Sequence, residues 1–383
     1  MAGRSTDDRE VRRIAVNTGG GDAPGLNAVI RAVTLGALDR GWQVLGISNG
    51  YDGLIDDSMF DTDGVVTMTR DRVRDITHLG GTILGTTNRG NPFDADERPA
   101  TTEPDRPGRT QGDKVVQRLR ALEVDRLVAI GGDGSLTIAS RLADAGVKVI
   151  GVPKTIDNDL EHTDRTTGFD SAVTFATECI DRLISTTAAH RRVMVVEVMG
   201  RTTGWIALHA GLAAAAHAVL IPEIPYDLTV VADRIAERER RGHEFSIVVV
   251  AEGAHPVGGT TTTIPGSDRL GGVGARVAAE LEVLTGKEAR ALTLGHLLRG
   301  GSPSSSDRRL GLRYGAEAVL AIEQGVENVM IALDGDHVRH VPLAQVAGRA
   351  RVIPLNAGVL RTARAVGLCL GDPAARPPAP SVP

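Results

Sequence analysis

RLVAIGGDGSLTIASRLADAGVKVIGVPKTIDND, residues 126–159, holds the reading that decides the fold. RLVAI (126–130) is a short apolar run and GGDGS follows it as a glycine loop. LTIASRLADAG (136–146) carries apolar residues at helical spacing, and VKVIGV (147–152) is a second apolar run. Strand, loop, helix and strand in so short a stretch make a parallel pair joined by a crossover helix. Near-continuous apolar strands, in place of alternating ones, mean that the sheet is covered on both faces.

The same unit recurs on either side. IAVN (14–17) leads through a glycine loop into LNAVIRAVTLGAL (26–38). Asp170 and Ser171 can cap a helix reaching about Thr187, and RVMVVEV (192–198) precedes TGWIALHAGLAAAA (203–216). HAVLIPE, a polar helix near 228–241, SIVVVAEG, a helix near 271–284, ARALTL (289–294), a helix near 304–324 and NVMIAL (328–333) continue the alternation. So many units exceed one sheet, so the expected fold class is α/β, with two three-layer α/β/α domains and mostly parallel sheets. Residues 87–112, TNRGNPFDADERPATTEPDRPGRTQG, lack periodicity and read as a long surface loop or lid. The tail from 371 to 383 and residues 1–11 read as disordered.

Composition excludes several classes of function. The 383 residues carry 43 Lys+Arg against 48 Asp+Glu, a formal charge of −5, with 3% aromatics. That chain lacks the basic field and the stacking platforms of a nucleic-acid binder. The longest apolar run, 205–222, is interrupted by His209, Gly211 and His217, so no membrane span is expected. The N-terminus has no apolar leader, which points to the cytoplasm. Two cysteines, Cys179 and Cys369, cannot build a disulfide framework. Hydrophobic residues at 42% and charged ones at 24% are a globular balance.

Four motifs carry chemistry. TGGGDAPGLN (18–27) joins a strand to a helix, where backbone N–H groups and a helix N-terminus suit an anion. No Lys-Ser/Thr follows it, so it is neither a Walker loop nor a dinucleotide fingerprint. In GGDGS (131–135) the glycines admit a phosphorylated ligand to the main chain, and Asp133 either holds Mg²⁺ or caps the next helix. PKTIDND (153–159) places Asp157 and Asp159 two apart. In an extended segment they share a face, so mutual repulsion raises one toward duty as a general base. GHLLRGGSP (295–303) offers His296 and Arg299 as a clamp for a dianionic phosphate, with the satisfied core histidine as the alternative. Arg192, Arg201 and Arg290 lie near strand ends. Ligands bind at strand C-termini in open parallel sheets, and three of these loops fall there. The residues describe a Mg²⁺-dependent phosphoryl-transfer enzyme whose acceptor is an anion, without naming that acceptor.

TGGGDAPGLNAVIR, GGDGS, PKTIDND, VMGRTTGWIAL, AEG and LGHLLRGGSPSSSDR stand in the order found in 6-phosphofructokinases, and from about residue 12 to 335 the chain resembles that family. The resemblance implies transfer of the γ-phosphoryl of ATP to the 1-hydroxyl of fructose 6-phosphate, an active site in the cleft between two α/β domains, and a homo-oligomer, dimer or tetramer. It implies Gly20, Gly21, Arg89, Gly132, Asp133, Gly134, Ser135 and Lys154 on the donor side, with Asp133 on Mg²⁺. Asp157 would take the hydroxyl proton, Asp159 would support it, and Arg201 would join them in catalysis. Thr155, Ile156, Asp157, Met199, Gly200, Arg201, Glu252, Arg290, His296, Leu297, Leu298 and Arg299 would meet the sugar phosphate. In the family, positions like Arg192 and Arg290 reach in from a neighbouring subunit.

Departures from the family's pattern refine the expectation. Gly134 matches the ATP-using branch, where pyrophosphate users place an acid, while Lys154 matches the pyrophosphate-related lineage. Leu35 stands where allosteric bacterial members carry an arginine. The resemblance therefore favours ATP as donor, with pyrophosphate, sedoheptulose 7-phosphate as acceptor, or a non-catalytic sugar-phosphate or nucleotide sensor as alternatives. The expected domains are 12–168 with about 297–335, which bind the donor, and 169–296 with about 336–370, which bind the sugar phosphate.

Overall fold

The first strand, β1 (Arg13–Thr18), runs into a glycine loop and helix α1 (Leu26–Asp39). The computed structural model describes residues 11–56, 64–88, 91–93 and 110–375. Along them follow β2 (Gln43–Ile47), α2 (Asp52–Ile55), β3 (Val65–Thr67), α3 (Gln111–Ala121), β4 (Arg126–Gly131), α4 (Asp133–Asp144), β5 (Val149–Thr155) and β6 (Thr167–Gly168). Next come α5 (Phe169–Ala189), β7 (Val193–Val198), α6 (Trp205–Ala213), β8 (Ala218–Leu220), α7 (Leu228–Arg240), β9 (Ser246–Ala251), α8 (Val273–Thr285) and β10 (Ala289–Thr293). The chain finishes with α9 (Ser305–Glu323), β11 (Val329–Asp334), β12 (His337–Pro342), α10 (Leu343–Val346) and α11 (Gly358–Ala365).

These elements form two units. The first takes the chain up to Thr155 together with Leu160–Gly168 and Gly300–Ala350; the second takes Ile156–Asp159, Phe169–Arg299 and the chain from Arg351. Residues 336–350, expected in the second domain, belong to the first, because β12 hydrogen-bonds antiparallel to β11 from Val329↔Pro342 to Asp334↔His337. Gly371–Ala375, expected to be part of a disordered tail, are placed: Gly371 accepts the Asp227 N–H at 2.8 Å and Pro373–Ala375 form a 3₁₀ turn. Most of the long loop at 87–112, and the first ten residues, lie outside the described residues.

In the first unit the sheet order is β12-β11-β5-β4-β1-β2-β3, with β6 beside β5. It is parallel except for β3 and β12 at its edges. Successive residues of β1 point to opposite faces, and both faces are buried. Ile14 and Val16 join Val29, Ile30, Val33, Tyr314 and Ile322 of α1 and α9. Ala15 joins Val115, Leu119, Leu136 and Leu142 of α3 and α4. That double coverage is why the strands read as continuous apolar runs. In the second unit the order is β10-β7-β9-β8, all parallel. Val193, Val195, Val248 and Val250 pack there with Val231, Ile235, Val277 and Leu281 of α7 and α8.

The topology fixes where ligands can approach. In the first sheet the chain moves from β1 to β2 on one side and later to β4 on the other, so direction reverses between β1 and β4. Loops leaving two such strands diverge and open a crevice at their C-terminal ends. In the second sheet β7 plays this part, flanked by β9 and β10.

Candidate active site

At the C-terminal ends of β1, β4 and β5 the first unit gathers the glycine loop, GGDGS and Lys154. Gly20 has φ 76°, left-handed, and the loop is pinned from several sides. The Gly19 N–H donates to Ile130 O and the Gly20 N–H to Thr87 O, both at 2.9 Å, while Thr86 Oγ1 donates to Gly20 O at 2.6 Å. Lys154 is buried at 2% exposure, and its ammonium donates to Gly19 O at 2.9 Å and to Gly21 O. The lysine expected on the donor side thus holds the glycine loop. Thr86 went unnoticed because nothing in LGTTNRG distinguishes one threonine from the next.

Gly132 is the N-cap of α4, and Asp133, Gly134 and Ser135 form its first turn. Their N–H groups have no intrahelical acceptor, so the helix end offers donors and partial positive charge. Asp133 does not cap this helix, since it lies inside it. Its Oδ1 accepts the Gly348 N–H at 2.8 Å. A Cβ at Gly134 would meet nothing within 4 Å, so the main chain is open there. A cavity beside the loop is lined by Gly20, Gly50, Tyr51, Ile55, Ser135 and Ile138, and Tyr51 and the two isoleucines make it partly apolar. Arg89 lies outside the described residues.

The second unit carries the acid-bearing turn and the basic loops. Ile156, Asp157 and Asp159 are buried, at 0%, 2% and 5% exposure. The expectation that Asp157 and Asp159 share one face of an extended segment is not met. Residues 156–157 form a turn and Asn158 between the acids has φ 52°, so the backbone reverses and the alternation of a strand is lost. Thr155, which ends β5 in the first unit, accepts Thr166 Oγ1 on its carbonyl at 2.6 Å.

Met199, Gly200 and Arg201 follow β7. Arg201 has φ 52°, a strained conformation for a side-chain-bearing residue, and strain of this kind collects at functional sites. Glu252, which follows β9, holds it: its Oε1 accepts the N–H of Gly200 at 3.2 Å and of Arg201 at 2.9 Å. Burial raises the Glu252 carboxyl above its usual range, the two N–H bonds opposing this, with neighbouring Glu197 adding to the rise. Gly253 must be glycine, because a Cβ would stand 2.1 Å from Arg201 O. After β10, His296 and Leu297 are exposed on a 3₁₀ turn, Gly295–Arg299, Arg299 is half-buried and Leu298 points inward at 1% exposure.

Glu197 was missed, though a lone acid in VMVVEV is a visible signal. Buried at 2%, it accepts the N–H groups of Gly272 at 3.1 Å and Gly274 at 2.7 Å, and its carbonyl accepts the Leu294 N–H at 3.0 Å. It ties the start of α8 and the loop after β10 to β7.

Arg192 and Arg290 stand apart. Arg192 precedes β7, and Arg290 pairs in register with Met194 at the start of that strand. The loop Met199–Arg201 leaves the other end, about 15 Å along the strand at 3.3 Å per residue. Arg192 and Arg290 share Glu288, at 3.7 and 2.7 Å.

The sequence pattern of the phosphofructokinase family matches residues 13–322. The chain belongs to the phosphofructokinase family. It is 48% identical over 366 residues to the ATP-dependent 6-phosphofructokinase of Chloroflexus aurantiacus, an alignment covering 94% of this chain and 98% of that one. It is 44% identical over 355 residues, 90% of this chain and 97% of the other, to the pyrophosphate–fructose 6-phosphate 1-phosphotransferase of Amycolatopsis mediterranei. Among solved structures, Pichia pastoris phosphofructokinase in the T-state is 28% identical with a TM-score of 0.76, covering 90% of this chain and 36% of that one.

The role of Lys154 in the phosphofructokinase loop is testable. Lys154→Met keeps the buried volume but removes the donor to two carbonyls, so a loss of about 2–3 kcal/mol is expected. The denaturant midpoint measures it, and an unchanged midpoint contradicts the assignment.

Proposed function

We propose that the protein is an ATP-dependent 6-phosphofructokinase, moving the γ-phosphoryl of ATP to the 1-hydroxyl of fructose 6-phosphate in glycolysis. The observation that carries this reading is the grouping, at the C-terminal ends of neighbouring strands β5, β4 and β1, of a pinned glycine loop, a helix N-terminus with Asp133, and Lys154 and Thr155 at the end of β5. The full-length similarity to enzymes named for this reaction supports it.

The donor phosphates lie against Gly20, Gly21 and the N–H groups of Gly132–Ser135, with Lys154 as a further cation near them. A Mg²⁺ ion fits this end of α4. Among the described residues no group of three or more His, Cys, Asp or Glu forms a metal cage. An ion that keeps waters and phosphate oxygens needs one or two carboxylates only, and Asp133, oriented by Gly348, supplies one. When bound, Mg²⁺ neutralises phosphate charge. Asp157 accepts the 1-hydroxyl proton as the new O–P bond forms and the bond to ADP breaks, with Asp159 maintaining the local field. Arg201 stabilises the transferring group, and Met199, Gly200 and Glu252 meet the sugar with Thr155 and Ile156. His296 and Arg299 clamp the 6-phosphate, with Leu297 and Leu298 contributing main chain. Such a reaction is mostly positioning and charge neutralisation.

A dimer or tetramer belongs to the same proposal. Arg192 and Arg290 lie at the wrong strand ends to serve their own unit's loops, and β10 is an edge strand whose residues 290–293 are all exposed. Leu292 and Leu297 are 37% and 61% exposed beside it. A second copy covering this edge would receive those arginines. A donor drawn from the cell's nucleotide pool puts the reaction in the cytoplasm.

Pyrophosphate is the rival donor, favoured by Lys154 and by the relative from Amycolatopsis. ATP is favoured by the open main chain at Gly134 and by the partly apolar cavity beside the loop. Assays of purified protein with each donor separate them, and turnover with pyrophosphate alone overturns the choice of ATP. Gly134→Asp has room for its side chain, which occupies the open space a nucleotide needs and the smaller pyrophosphate does not, so kcat/KM with ATP falls by about 100-fold while pyrophosphate use falls far less. Equal losses on both donors contradict the argument. Asp157→Ser lowers kcat by about 10²–10⁴-fold with little change in KM for fructose 6-phosphate; a near-normal rate removes Asp157 as the base. Co-expressed Asp157→Ser and Arg290→Ala chains regain about one quarter of wild-type activity if active sites are shared in a twofold assembly. No recovery refutes the sharing.

A further inference from the structure

Asp157 and Asp159 ride on a turn whose carbonyls are held from a distant part of the chain. Asn158, between them, has φ 52°, a left-handed conformation that asparagine tolerates better than most side-chain-bearing residues. Arg351 reaches this turn from nearly two hundred residues along the chain. Its Nε and Nη2 donate to Asn158 O at 3.3 and 3.0 Å, and its backbone N–H donates to Asp159 O at 2.8 Å.

Arg351 is itself seated. Its guanidinium carbon lies 4.4 Å from the centre of the Trp205 ring, and Trp205 Nε1 donates to Arg351 O at 3.0 Å. Trp205 is 9% exposed at the first turn of α6. The N–H of its neighbour Gly204 goes to Glu223, both carboxylate oxygens at 3.1 Å, and Glu223 Oε1 also takes the Ile353 N–H at 3.0 Å. Segment 351–353 is therefore fastened to α6 at both ends. A planar fork that stacks on an indole and bonds a carbonyl through two nitrogens is a task for arginine, which a lysine's point charge cannot reproduce.

We propose that Arg351, seated on Trp205, is a positioning residue for phosphoryl transfer: it fixes the Ile156–Asp159 turn and so aims Asp157 and Asp159 at the reacting centre. This rests on the reading of Asp157 as the base. Arg351 touches no reacting atom in this scheme; its effect is conformational, and a misplacement of about 1 Å at such a site costs about 100-fold in rate.

The test joins amide hydrogen exchange with steady-state kinetics on the full-length protein. Arg351→Ala is expected to speed exchange in the peptide covering 156–160 while leaving β4 unaffected, and to lower kcat by about 100-fold with KM for ATP changed by no more than about twofold. Millimolar methylguanidinium should restore part of the lost kcat. Trp205→Phe keeps a ring under the guanidinium but removes the Nε1 bond, so it should lose less, about 10-fold or under. Unchanged exchange at 156–160, or faster exchange with kcat within about threefold of wild type, overturns the proposal. If Arg351→Ala does not fold, Arg351→Lys decides. It retains the charge without the fork, so wild-type exchange and kcat in that variant refute the positioning role. A wild-type protein that never phosphorylates fructose 6-phosphate refutes the functional reading instead, and the exchange measurements then judge the turn by themselves.

Discussion

A parallel strand buried on both faces has its whole length committed to packing, so the residues that act on a ligand must stand at its ends. In the first sheet β1, β4 and β5 bury both faces under α1 and α9 on one side and α3 and α4 on the other. Their C-terminal ends face the N-termini of the crossover helices, where N–H groups point outward without intrahelical partners. The anion-binding role proposed for the glycine loop and the α4 N-terminus rests on that constraint, before any side chain is considered.

The side chains then serve mainly to keep these irregular loops in place. Lys154 binds the carbonyls of the glycine loop, Glu252 binds the N–H groups of Gly200 and the strained Arg201, and Glu197 binds the start of α8. Lys154 and Glu197 are ionisable groups buried next to backbone dipoles, and Glu252 is partly buried, a placement that is costly unless hydrogen-bonded and strong once it is. Loops built this way hold their donors and carboxylates before ligand arrives. Transfer of a phosphoryl group demands that kind of preorganisation, because it depends on placement and charge more than on covalent chemistry.

The same sheet geometry explains why some of the basic residues do not meet. Arg192 and Arg290 sit where β7 and β10 begin, and the loops with Arg201, Glu252, His296 and Arg299 sit where β7, β9 and β10 end. A rigid strand separates the two groups within one chain. A second copy that brought its arginines to the other end of the sheet is therefore part of the proposed chemistry.

Fold class was legible in the sequence, because continuous apolar runs alternating with helical periodicity report local burial, and burial on both faces of a strand leaves little choice of architecture. The glycine loop, GGDGS and PKTIDND were legible for a related reason: glycine and acid at a strand end have few other uses, and their order carried the family. What the sequence left undetermined involves partners distant along the chain. That Asn158 turns left-handed and breaks the extended run between Asp157 and Asp159, that Lys154 points at Gly19 and Gly21, that β12 returns to the first sheet, and that Arg351 and Trp205 grip the acid-bearing turn are set by the folded chain, in several cases by residues up to about two hundred positions away. Periodicity records which face of an element is apolar, and only the folded chain decides which hydrogen-bond donor lies beside which acceptor.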